Sequence, residues 1–259
     1  MYKSLRVYAS SLSRPFSTHS LVIKAAECKG FWESNECHDR FIRLWGRLSQ
    51  RYGKYPHVAF DILNEIVDES VCDIWNNLAA KAITVIRKNA PGNWIIVGGT
   101  RYNSIFTVKD ISDFHSPKIA YSFHFYEPYI FTHQGACWES FMPENFRVSY
   151  PLTAEEYCQV AKEKLGGQCM GIFMCMSPDA SGAVMLDSLF GTAVTVAAKR
   201  DVPLYCGEYG VISNADDVSA KRYISDLQGI LEKYNIGRAM WNYKGLNFEI
   251  ESKNFTPQL

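Results

Sequence analysis

The stretch from Pro56 to Asp68 reads PHVAFDILNEIVD. Its apolar run (Val58, Ala59, Phe60, Ile62, Leu63) is bounded by a proline and an acidic segment, the pattern of a strand buried on both faces. Such strands belong to parallel sheets covered by helices. In α/β proteins, ligands sit at the carboxyl ends of those strands. An Asn64-Glu65 pair closing this one therefore stands where chemistry is usually done. The same letters also fit a helix N-cap with an acidic first turn, because Asp68, Glu69 and Ser70 follow.

Working outward, Glu36 to Tyr52 carries Phe41, Ile42, Leu44, Trp45 and Leu48 at helical spacing, with Gly53 and Pro56 as its stop. Ser70 to Asn89 predicts a helix capped by Ser70 and broken at Pro91-Gly92. Trp94–Gly98, Ile119–Tyr126, Pro203–Gly207 and Arg238–Lys244 predict further strands, and Ala154–Leu165, Val184–Arg200 and Asp217–Tyr234 further helices. Along Ile119–Tyr126 alternation puts Tyr121, Phe123 and Phe125 on one face and His124 and Tyr126 on the other. Glu127 to Thr153 is a long aromatic loop of the kind that is usually functional. Upstream, Leu5–Ala9 and Leu21–Ala26 each predict a short strand. Alternating strands and helices argue one α/β domain from residue 36 to 259 behind an irregular segment over 1–35. A spacing of about 30 residues per strand–helix unit fits a (β/α) barrel.

Composition narrows the function classes. The 259 residues are 47% apolar, enough for a sizeable core. Basic and acidic residues balance at 27 each, against a nucleic-acid or anionic-membrane partner, which calls for a basic excess. No apolar run approaches the roughly 18 residues of a membrane span. Eight cysteines without CxxC or zinc spacing predict buried thiols in a reducing compartment. The N-terminus is basic and serine-rich without the apolar core of a secretory signal, so the expected location is cytoplasmic. Aromatics reach 14%, and flat faces with polar edges suit sugar rings.

Two strands end in glutamate, Glu65 after Ile62-Leu63-Asn64 and Glu208 within CGEYG. In a barrel of parallel strands both lie on one rim. Paired carboxylates across a cleft are what glycoside hydrolysis needs: one protonates the leaving oxygen, and the other attacks the anomeric carbon or activates water. Either glutamate alone fits a rim ion pair or a cap. Their occurrence together, with His124 and Tyr126 on a third strand end, favours the catalytic reading. The six histidines are spread out, so neither a metal nor another cofactor is expected.

The combination FDILNE, HFYEPYIFTHQGACW, VPLYCGEYG and AMWNYKG resembles glycoside hydrolase family 5, the cellulase-type retaining (β/α)8 enzymes. The resemblance covers about Phe41 to Lys244. It implies that Glu65 is the acid/base and Glu208 the nucleophile. Asn64 would then bond the sugar 2-hydroxyl, Tyr126 would hold Glu208 ionised beside His124, and Trp241 would stack on the sugar. His133 and Trp138 would line the cleft wall. The implied substrate is a β-glucan or related polysaccharide, cut as by an endo-β-1,4-glucanase.

The front of the chain departs from the family. Three strand–helix units need roughly 90 residues before the Asn-Glu strand, and 55 precede Pro56. Leu21–Ala26 stands where the third strand belongs and has no histidine. Arg6 matches the family's strand-two arginine only by a strained alignment, and Tyr102 replaces its strand-five tryptophan. The expectation is a barrel incomplete at its N-terminal strands, whose open edges invite self-association. The alternatives are a weak or inactive carbohydrate-binding remnant of the same fold, and a chain that does not fold alone.

Overall fold

The computed structural model describes residues 5–12, 14–21 and 30–249, the first two segments as backbone only. In order, the elements are β1 (Leu5–Leu12), β2 (Arg14–Leu21), α1 (Asn35–Tyr52), β3 (Val58–Asp61), α2 (Cys72–Asn89), β4 (Trp94–Gly98), the short turn α3 (Thr100–Asn103) and β5 (Ile119–Phe125). There follow α4 (Tyr129–Thr132), α5 (Ala154–Leu165), α6 (Gly182–Ser188), α7 (Gly191–Arg200), β6 (Leu204–Tyr209), α8 (Asp217–Lys233) and β7 (Gly237–Met240). The strands lie side by side in chain order. β1 and β2 pair antiparallel, with Leu5 opposite Leu21, whereas β2–β3, β3–β4 and β4–β5 are parallel. Of the expected strand over Leu21–Ala26, only Leu21 is described; it ends β2.

The described chain divides into two compact units. The first comprises Met1–His124, Thr192–Gly207 and Ile236–Ala239. Five strands each send one side chain into a single cluster there: Ala59, Ile96, Ala120, Tyr205 and Ala239. That is the layered filling of a (β/α) barrel interior. Side chains alternate along a strand, so the residues two further on share this face: Asp61, Gly98, Ser122 and Gly207. The opposite face carries Phe60, against which Trp45 of α1 packs edge-on at 6.1 Å, and Trp75 of α2 donates its indole N–H to the Gly98 carbonyl at 2.9 Å.

The second unit comprises Phe125–Gly191, Glu208–Asn235 and Met240–Leu259. Its core is aromatic: Phe131, Tyr150 and Tyr223 meet with ring centroids 5.4–5.5 Å apart, and Tyr157 stacks on Phe173 at 5.0 Å. Burial raises the Tyr150 and Tyr157 phenols well above their usual range, so both stay neutral donors, to Asp226 and to the Ser149 carbonyl. α5 begins on a reciprocal cap in which Thr153 and Glu156 bond each other's backbone N–H groups.

Several expectations need correction. The strand expected to reach Glu65 ends at Asp61, and Ile62 makes one further bond to Ile96 before the chain leaves the sheet. α2 is entered through a 3-10 turn capped by Asp68, whose carboxylate accepts the Ser70 N–H, so Asp68 holds the capping role expected of Ser70. The helix expected over Val184–Arg200 is two helices, because Phe190 between them is fully buried against Phe125 and Tyr234. Among the described cysteines Cys206 alone is fully buried, and Cys137 and Cys175 are exposed.

Candidate active site

In the first unit, the chain beyond β3 runs through Ile62 and Leu63, both fully buried, to Asn64 at 3% exposure. Asn64 Nδ2 is buried and makes no hydrogen bond among the described residues. Glu65 then takes a left-handed backbone, φ 49°, which turns its side chain out of the strand path. Its Oε1 lies 2.8 Å from His124 Nδ1. The imidazole is the more buried partner, at 5% side-chain exposure against 27% for Glu65. A Cβ on Gly207 would meet Ser122 Oγ at 3.0 Å and His124 Nε2 at 3.3 Å. Glycine before Glu208 thus leaves room for the ring that holds Glu65.

In the second unit, Glu208 near the end of β6 is 5% exposed, and the Tyr126 hydroxyl donates to its Oε2 at 3.1 Å. The Tyr126 ring meets His133 edge-on at 5.2 Å. His133 is stacked on Tyr129 at 3.8 Å and bordered by Phe248 and Trp138, at 5.1 and 6.3 Å. Burial pushes the His133 imidazolium down to about 3, so the ring is neutral near pH 7. The Thr132 hydroxyl donates its single hydrogen to the Tyr126 carbonyl, so it accepts from His133 Nδ1, 2.9 Å away. That places the ring proton on Nδ1. Trp241 packs on the cluster of Ala136, Ile212 and Phe248, its backbone N–H bonded to the Tyr209 carbonyl.

Each candidate catalytic or substrate-binding residue thus has a described place. Glu65, Asn64 and His124 gather in the first unit, and Glu208, Tyr126, His133, Trp138 and Trp241 in the second. Sequence reasoning missed Thr132, Tyr129 and Phe248. Tyr129 and His133 stand four apart, a helical spacing that puts two rings on one face and was legible in principle. Phe248 lies past the last strand and carried no signal.

A groove of about 910 Å3 lies elsewhere in the first unit, between α2 and residues 112–116. Two of its polar side chains, Arg87 and Asn76, are tied to that loop and its flanks. Arg87 reaches the Ala90 and Asn93 carbonyls and Ser116 Oγ, and Asn76 spans the Asp110 carbonyl and the Ser112 N–H.

The family model described as cellulase (glycosyl hydrolase family 5) matches residues 24–247. Endoglucanase C of Acetivibrio thermocellus is 36% identical over 232 residues, which cover 84% of this chain and 63% of that protein. Cellodextrinase A of Ruminococcus flavefaciens is 31% identical over 212 residues, 81% of this chain and 55% of that protein. The chain therefore spans a little under two thirds of the first relative's length. Among solved structures, Thermotoga maritima Cel5A in complex with cellobiose superposes with a TM-score of 0.70 at 24% identity, covering 89% of this chain and 66% of that one. The cellulose synthase subunit Z of Clostridioides difficile gives 0.71 at 24% identity, covering 89% and 68%. Likeness at that level establishes the fold, an incomplete (β/α)8 barrel.

Proposed function

This chain belongs to glycosyl hydrolase family 5, the cellulases, and from that premise we propose that it hydrolyses β-linked glucan as an endo-β-1,4-glucanase does, with Glu65 as acid/base and Glu208 as nucleophile. The observation that carries the reading is a division of labour at the carboxyl end of β5. His124 holds Glu65, and Tyr126, two residues on, holds Glu208. Gly207, against which His124 lies, is bonded directly to Glu208.

In the first step, protonated Glu65 gives its proton to the glycosidic oxygen while a Glu208 oxygen attacks the anomeric carbon. The C–O bond breaks, the shortened glucan leaves with its new hydroxyl, and a glycosyl ester remains on Glu208. Esterification removes the Glu208 charge, so Glu65, now a carboxylate, acts as base. It takes a proton from water, whose oxygen attacks the anomeric carbon and expels Glu208 as carboxylate. His124 beside Glu65 Oε1 keeps that carboxyl oriented in both roles. Asn64 Nδ2 donates to the sugar 2-hydroxyl, a bond that strengthens in the transition state. Trp241 stacks on the sugar, and His133 and Trp138 form the cleft wall.

The endoglucanase and cellodextrinase relatives, and the cellobiose bound to a protein of the same fold, support a β-glucan substrate. Hydrolysis of carboxymethylcellulose and of an aryl cellobioside tests the reading, with Glu65→Gln and Glu208→Gln as controls. On carboxymethylcellulose wild type should exceed both variants by at least about a hundredfold. Wild type indistinguishable from both at background would refute it, and calorimetric binding of cello-oligosaccharide without turnover would leave a binding role instead.

A further inference from the structure

Glu65 is not alone in its left-handed backbone. Arg101, Tyr102 and Asn103 form a consecutive run at φ 50°, 59° and 56°. Outside glycine such residues are uncommon singly, because the Cβ crowds the following carbonyl, and a run needs surroundings that enforce it. Here the surroundings are specific. The Asn103 side chain, 1% exposed, occupies the space that a Cβ on Gly98 would take, at 2.5 Å. Its amide makes no hydrogen bond among the described residues. The role of Asn103 is therefore to fit the gap and to tolerate the left-handed region, which asparagine does better than other non-glycine residues. Thr107 Oγ1 lies 3.0 and 2.8 Å from the Thr100 and Ser104 carbonyls and closes the far side of the turn.

The turn is joined to the surroundings of Glu65 at two points. The Tyr102 N–H donates to the Ile66 carbonyl at 2.9 Å, one residue beyond Glu65. Ser104, the residue after the turn, pairs in parallel with His124, whose ring holds Glu65 Oε1. We propose that the left-handed turn Arg101–Asn103 is a positioning element that locks the backbone of Glu65 through the Tyr102–Ile66 bond and steadies its imidazole partner through Ser104. The proposal rests on the acid/base reading of Glu65. Released from the turn, Glu65 returns to an ordinary backbone conformation and its carboxyl swings off His124.

Misplaced acid has a kinetic signature that simple loss of stability lacks. A glycosidic oxygen leaving as an alcohol needs protonation, and a dinitrophenolate does not. The test replaces the Tyr102 amide by an ester, with tyrosine's α-hydroxy acid incorporated at position 102, which deletes the N–H and keeps the ring. The readout is kcat/KM, which reports formation of the glycosyl-enzyme. The expected result is a loss of roughly tenfold or more on a cello-oligosaccharide and under about twofold on dinitrophenyl cellobioside. Asn103→Ala should reproduce the split and Asn103→Gly should show a smaller one, since glycine accepts the left-handed region. Equal losses on both substrates, or none, would overturn the inference. Glu65→Gln, run alongside, separates the two failures. A strong split in that variant without one at position 102 removes only the positioning role, whereas its absence in Glu65→Gln removes the acid/base reading itself.

Discussion

The two glutamates have opposite surroundings. Glu65 sits beyond its strand on a left-handed backbone, over a quarter exposed, beside the His124 imidazole. Glu208 sits within its strand, 5% exposed, under a phenol that can only donate to it near neutrality. A group that shuttles a proton needs access to water and substrate, whereas a nucleophile needs a fixed position. The proposed roles assign the more exposed carboxyl to the proton transfer and the more buried one to the covalent step.

The contrast can be broken most sharply at the carboxyls. Glu208→Gln should lose about 10⁴-fold or more in kcat on every substrate, because no covalent step remains. Glu65→Gln should lose roughly 10²–10⁴-fold on glucan, the usual range for general acid–base catalysis, and far less in the first step on an activated aryl cellobioside. Steady-state rates on the two substrate types check both; a swapped pattern would exchange the roles. Tyr126→Phe removes the donor to Glu208 and should lower kcat by about 10- to 100-fold with the melting temperature little changed, an oxyanion-type loss at the low end.

His133 sharpens the comparison by way of stability. Its folded imidazole titrates near 3 because it is buried, below the unfolded value of about 6.5. Between those limits the unfolded chain binds the extra proton, so unfolding free energy falls as pH is lowered, by at most about 1.4 kcal/mol per pH unit. The contribution is complete above about pH 6.5 and exhausted below about pH 3. Denaturant titrations from pH 7 to 4 should show a shallower acid slope in His133→Gln than in wild type. The smallest effect is expected at Trp138, 48% exposed at the edge of that cluster. Trp138→Ala should raise KM by about threefold, with kcat nearly constant, since an exposed ring contributes uniform binding.

Much of this was legible in the sequence because apolar runs and their breakers are local. Trp94–Gly98 and Ala154–Leu165 have the bounds expected of them. The alternation in β5 already separated His124 from Phe123 and Phe125, and hence the site face from the core face. What failed was decided by contacts distant in sequence. Phe190 splits a helix because its burial partners, Phe125 and Tyr234, lie far from it in the chain. Asn64 and Glu65 follow the strand rather than belong to it, a consequence of Glu65's positive φ that no propensity announces. The left-handed turn at Arg101–Asn103 was likewise invisible, because Tyr and Arg carry no preference for it. The thiols expected in the core are partly at the surface because cysteine was read by its average burial.

The most direct test of the account is to trap the covalent intermediate. Incubation with dinitrophenyl 2-deoxy-2-fluoro-β-cellobioside, followed by peptide mass spectrometry, should place one fluorocellobiosyl group on the peptide that contains Glu208, with Glu65 unlabelled. Turnover of glucan by an enzyme that carries the label on another residue, or that never acquires one, would contradict it.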